Sequence, residues 1–291
     1  MKRAFTIIEL IITMVILAIV AYIASGLIAK TYIGYNHTNT INRANLKLEM
    51  ALNEITNRLE YAIANSIVKR KSATDKALSP ISSAPSDYEV LEWVGMAKDS
   101  FNANNDTDKK PAWSGFCNVD KSSKNSIVTA ASNLALADDI INRLSINKAN
   151  LNSSNVAIFF MGEYDYNDIG YETGANSNRV GIIKSYSNNK LDLANNIESI
   201  SEHYKIAWSA YAVVPTNCTA KGCDLELRYN FRPWMGEHYE NAPSTLLVNN
   251  VTVFKTYATQ NRVHIKLCVK DRYNQSQTTS ICKEKVVFKW G

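Results

Sequence analysis

Proline is missing from the first 79 residues of this 291-residue chain, Pro80 being the first of six. Nothing in that stretch forces a helix to kink or stop. Histidine is scarce: His37, His203, His238 and His264 are all there are, scattered along the sequence. There is no Gly-rich phosphate loop, no His-Glu-x-x-His and no Gly-x-Ser-x-Gly, which removes the nucleotide-binding, zinc-protease and serine-hydrolase classes that those motifs carry. Long runs of one charge sign are absent as well. The net charge of +5 is spread along the chain and neither demands nor excludes an anionic partner. No internal repeat occurs.

Charge is most conspicuously absent from Phe5 to Ala29, an apolar run broken by one carboxylate, Glu9, with only Met1-Lys2-Arg3-Ala4 before it. A carboxylate in hydrocarbon costs roughly 2.5–3.5 kcal/mol, so it calls for a partner. The run itself supplies none. A cleaved secretory signal has an apolar stretch of about 7–15 residues and a small-x-small site after it, whereas this run has 25 residues and continues into helix-like sequence. At about 1.5 Å per residue it more than crosses a hydrocarbon core of about 30 Å, so a plain anchor fits its length. That reading leaves Glu9 unexplained. Lys2 and Arg3 orient the segment with its N-terminus in the cytoplasm, which places everything after about Lys30 outside the inner membrane.

Lys2-Arg3-Ala4 followed by Phe5-Thr6-Ile7-Ile8-Glu9-Leu10 resembles the processing site of the type IV pilin and type II secretion pseudopilin superfamily. The resemblance implies cleavage between Ala4 and Phe5 by a prepilin peptidase, N-methylation of Phe5, and pairing of the Glu9 carboxylate with a neighbouring subunit's N-terminal amine during filament assembly. Such a pair would neutralise the buried charge. Ala4 stands where the family usually has glycine, a departure that keeps a small residue. Implied partners are the peptidase, other pilins or pseudopilins, the inner-membrane assembly platform and membrane lipid, with no direct nucleic-acid binding; the implied location is the bacterial inner membrane with a periplasmic head, and then a pseudopilus or pilus. The chain reads as a substrate for an enzyme and not as one. Its bulky head resembles minor subunits, and Leu246-Leu247-Val248-Asn249-Asn250-Val251 before a strand is similar to J-type minor pseudopilins. The expected role is a minor subunit for type II secretion; a minor pilin, a competence pseudopilus subunit for DNA uptake, or an unprocessed anchored binding module are the alternatives.

Ile41, Leu48, Leu52, Ile55, Leu59, Ile63 and Ile67 recur at helical intervals, which extends one helix from about Phe5 to about Lys71. Gly26 lies where many pilins carry a kinking proline, so the helix is expected to be straighter, with local melting between Gly26 and Gly34. Lys69-Arg70-Lys71 reads as a helix C-terminus complementing the macrodipole. Residues 71–87 and 99–126 are polar and read as surface loops, with Tyr88 to Met96 a short helix or strand between them. Asn133 to Leu144 reads as a second helix. Strands are expected at Val156 to Met161, Val180 to Lys184, Ile206 to Val214, Leu225 to Phe231, Leu246 to Tyr257, Val263 to Lys270 and Glu284 to Trp290. The result is an α+β class, a long helix packed on a mostly antiparallel sheet. Its segments are a leader (1–4), a transmembrane or filament-core helix (5–29), an amphipathic continuation (30–71) and one globular head (72–291).

Five cysteines suit an exported protein. Cys268 and Cys282 fall on strands joined by a polar loop, and Cys218 and Cys223 bracket the turn Thr219-Ala220-Lys221-Gly222, so two disulfides are expected. Cys117 is left over. Zinc on four of these cysteines is the alternative, with loose spacing. No cofactor is expected; calcium is the one candidate, at Asn104-Asn105-Asp106-Thr107-Asp108 or at Glu163, Asp165, Asn167 and Asp168 near Gly170, neither with the spacing of a calcium loop. The aromatic and arginine-rich segment Arg228 to Glu237 is either a partner surface or a strand end whose Trp234 covers the core edge.

Overall fold

The computed structural model describes residues 6–72, 75, 77–104, 109–146, 148–172, 178–272 and 278–288. Helix α1 (Ile7–Leu59) is 53 residues long, about 80 Å at 1.5 Å per residue. It runs unbroken through Gly26 and Gly34, where the sequence suggests melting. Its C-terminal part lays Ala44, Leu48, Ala51, Leu52, Ile55 and Leu59 on the head, all but fully buried. Spacings of four, three, one, three and four put them on one face.

Beneath that face lies an antiparallel sheet of eight strands: β1 (Val68–Arg70), β2 (Leu78–Pro80), β3 (Val90–Gly95), β9 (Ser209–Thr219), β10 (Gly222–Phe231), β11 (Ser244–Thr259), β12 (Arg262–Arg272) and β13 (Thr278–Phe288). They are ordered β13-β12-β11-β10-β9-β3-β1-β2. Val263, Ile265, Leu267 and Val269, alternate residues of β12, meet the α1 stripe together with Leu225 and Leu227 of β10. Each such aliphatic side chain contributes roughly 1.5–3 kcal/mol on burial.

A second antiparallel sheet is ordered β4-β7-β6-β5-β8, from β4 (Ser126–Val128), β5 (Val156–Phe160), β6 (Val180–Ser187), β7 (Lys190–Leu193) and β8 (Tyr204–Ala207). Strand β5 is buried along its whole length because both its faces are covered. Ala157 and Phe159 pack with Ala210, Ala212 and Val214 of the large sheet. Val156, Ile158 and Phe160 pack with Leu134, Ala137 and Ile141 of helix α3 (Leu134–Leu144), whose first turn is capped by the Asn133 side chain accepting from the Leu136 amide. The α+β arrangement is therefore as the sequence implies.

Four local expectations are overturned. Helix α1 stops at Leu59 and not near Lys71, because the backbone beyond is captured by β3: Ile63 N–H donates to Val94 O and Met96 N–H to Tyr61 O, both at 2.9 Å. Lys69 and Arg70 accordingly lie on buried β1, not at a helix end. Lys69 Nζ donates to Thr256 O at 3.1 Å, and Arg70 Nε to Glu92 Oε2 at 2.7 Å. The polar stretch 99–126 is not all surface, since Ala112 and Trp113 are fully buried and Trp113 Nε1 donates to Ser100 Oγ at 2.9 Å. The run from Ile206 to Val214 is also two strands rather than one. Chain passing through Trp208 leaves the small sheet as β8 and enters the large one as β9, with Ala207 and Ala210 small enough to let the sheets approach.

Candidate functional site: the projecting helix

Before Ala44 no residue of α1 is buried, and from Ile7 to Tyr35 every residue is exposed, so about 44 Å of helix projects from the head. Ile7, Leu17, Leu27 and Ile28 are each at least 61 % exposed, and the most apolar 18-residue window has no buried residue. A helix bare and apolar all round needs another solvent than water. Three of its hydroxyls fold back on the helix: Thr13 Oγ1 donates to Leu10 O, Ser25 Oγ to Tyr22 O, and Thr31 Oγ1 to Leu27 O, all at 2.8–2.9 Å. Every polar group so matched inside its own helix is compatible with lipid or with packed neighbouring helices. This N-terminal helix fits a single-pass membrane anchor.

Glu9 sits in the first turn of α1, at the positive end of the helix dipole, where a carboxylate is favoured. No other acid occurs on the helix before Glu49. Ala4 and Phe5, the expected cleavage and methylation positions, lie outside the described residues, as does Lys2-Arg3.

At the other end the helix is pinned by charge. Glu49 pairs with Lys283 at 2.9 Å and with Lys285 at 2.8 Å, Lys285 also bonds Asn53, and the two ammonium groups hold the Glu49 carboxyl down at about 2. The sequence reading missed this latch. A signal was there: in Lys283-Glu284-Lys285 the period of a strand puts both lysines on one face. It also missed the pair Arg70–Glu92, in which burial pushes the Glu92 carboxyl up to about 7 despite the guanidinium beside it.

The other candidates are structural. Cys218 is joined to Cys223 and Cys268 to Cys282, the latter pair directly opposite across β12 and β13; Cys117 is free and buried. Asp165 and Asp168 cap a 3-10 turn reciprocally, the Asp165 carboxylate accepting from the Tyr166 amide and Asp168 from the Asp165 amide. Glu163 accepts from Ser199 Oγ. No group of three metal-binding side chains forms among the described residues; Asn105 to Asp108 lie outside them. In the Arg228–Glu237 segment Trp234 is buried, donates to Asn155 O at 3.0 Å and meets Phe159 edge-on. Arg232 is held by Glu237 at 2.7 Å.

Residues 1–25 match the prokaryotic N-terminal methylation motif. This is the prepilin-type signal of type IV pilins and pseudopilins. The bare helix with its lone early acid carries this signal at its start. Comparisons with curated proteins and with solved structures give no match.

Proposed function

We propose that this pilin-like chain is a minor pseudopilin, cut before Phe5, N-methylated there and built through α1 into a periplasmic filament serving type II protein secretion. The observation that carries the reading is the coincidence of the methylation signal with a projecting helix that is apolar on every side and holds one acid in its first turn. In a bundle of like helices a neighbour's freed amine gives Glu9 the partner that lipid does not. Leu46 and Met50, 63 % and 71 % exposed on the part of α1 that faces away from the sheet, leave two apolar side chains bare at the level of the head. The two-sheet head, with thirteen strands among the described residues, is bulky for a repeating shaft and suits a minor position. A J-type assignment rests on the Leu246–Val251 run alone, which lies on β11.

Mass spectrometry of the native chain tests this. The mature protein is expected to begin at Phe5 with one added methyl group, and Ala4→Leu to leave it uncut. A mature chain that keeps Met1 to Ala4 would reduce it to a tethered periplasmic domain.

A further inference from the structure

Two charges bound the apolar length of α1. Glu9 stands near its start and Lys30 at its far end, and Leu10 to Ala29 between them are uncharged. From Glu9 to Lys30 is about 32 Å along a helix axis, or about 30 Å across a bilayer at an ordinary tilt of about 20°. That is the thickness of the hydrocarbon core. A span with a charge at each boundary has a defined depth, because sliding it either way drags an ion into oil.

Beyond Lys30 the helix changes character. Tyr32 and Tyr35 are 65 % and 66 % exposed, and no hydrogen bond or ion pair within the described residues engages Lys30, Tyr32 or Tyr35. At about 100° per residue both tyrosines lie on the side of the helix away from Lys30, so the three side chains encircle it. Tyr32 stands about 3 Å and Tyr35 about 8 Å past Lys30, within a headgroup layer of about 5–8 Å per side. Tyr22, about 12 Å inside Lys30, lies in the hydrocarbon and outside this ring. After the tyrosines comes Asn36-His37-Thr38-Asn39-Thr40, a polar run suited to water.

We infer that Lys30, Tyr32 and Tyr35 form a collar that docks in the phospholipid headgroups of the leaflet nearer the head. Side chains on a helix lean toward its N-terminus, so the two rings tip back toward the acyl chains, while the Lys30 stem snorkels up to lipid phosphate. Charge and amphipathic rings select this occupant: phosphate supplies the anion, and a ring with one polar tip fits where apolar and wet regions meet. A neighbouring apolar helix would satisfy neither the ammonium nor the hydroxyls. The collar holds the head about 14 Å above the lipid, the length of helix from Tyr35 to Ala44. The assignment rests on the membrane-anchor reading alone and is the same for a filament subunit and for a tethered domain.

Nitroxide quenching of the full chain in lipid nanodiscs tests it. A tryptophan is introduced by Tyr32→Trp or by Tyr35→Trp, the wild-type emission is subtracted, and the nitroxide is carried either on the lipid headgroup or near the acyl-chain end. The headgroup probe is expected to quench each added indole strongly and the chain-end probe weakly. Lys30→Leu combined with Tyr35→Trp lengthens the uncharged run and should shift quenching toward the chain-end probe. Quenching by neither probe, as when the collar stands in water or is covered by a second copy, would overturn the assignment, and so would stronger quenching from the chain end. A pattern unchanged by Lys30→Leu would overturn the part of the ammonium in setting depth.

Discussion

The two parts of α1 share a backbone and little else. From Ile7 to Tyr35 every residue is exposed, apolar side chains point in every direction, and the Thr13 and Ser25 hydroxyls fold back on the helix. From Ala44 to Leu59 six apolar side chains form a wholly buried stripe against the sheet, with Leu46 and Met50 exposed on the other side, and Arg58, Glu54 and Glu49 flank it. The packed part is satisfied within this chain. Everything that satisfies the projecting part comes from outside it, as lipid first and, on the proposed reading, as other helices afterwards. Substitutions should therefore separate cleanly: those before Ala44 alter assembly and leave the head intact, and those after it alter the head.

The sharpest break is Glu9→Val. Removing the one early acid takes away the partner of a neighbour's amine and also makes the helix better suited to lipid. Membrane insertion and the melting temperature of the head should be unchanged, while co-purification with filament subunits falls by tenfold or more, about 1.4 kcal/mol or above per contact. Undiminished co-purification would remove the distinction between the two parts of the helix.

Inside the head the largest expected loss comes from the pair Arg70–Glu92, whose side chains are 3 % and 2 % exposed. Glu92→Leu takes the counter-charge from a buried guanidinium, which keeps its bond to Tyr171 O, and should destabilise the head by about 3–5 kcal/mol in denaturant unfolding. Arg70→Met in the same chain should restore much of it, since two apolar groups need no partner. Leu52→Ala comes next. Leu52 is fully buried between α1 and the sheet, and truncation there should cost about 2–5 kcal/mol. N-terminal processing is expected to survive both changes, because the cleavage site is a helix length away.

This contrast also explains which features could be read from the sequence. The projecting part was legible because its signal is one of composition, and the disulfides because Cys218 and Cys223 bracket a short turn while Cys268 and Cys282 sit on adjacent strands. Helix α3 showed its period and its Asn133 cap. The end of α1 was not legible. Ile63 and Ile67 keep helical spacing after Leu59, yet the free carbonyl of Val94 and the amide of Met96 bind that backbone instead, and no local pattern records an offer made by residues thirty positions away. Burial of Lys69 and Arg70 was hidden for the same reason, as their partners Thr256 and Glu92 are remote in sequence. The burial of Trp113 was concealed in a stretch whose average polarity reads as loop.

The smallest expected effect concerns the Glu49 latch that fastens α1 to β13. Its carboxyl is held at about 2 by hydrogen bonds from Lys285 and Lys283, below the value of about 4.5 it has when the chain is unfolded. The unfolded chain therefore binds the proton first, and the stability contributed by the latch is present above about pH 4.5 and lost as pH falls toward about 2. Glu49→Gln should lower the melting temperature slightly near neutral pH and not at all near pH 2, so the curves of wild type and variant should converge on acidification. Added salt should shrink the gap too, since the pair is open to solvent. Curves that stay parallel down to about pH 2 would mean that the apolar stripe alone holds the helix.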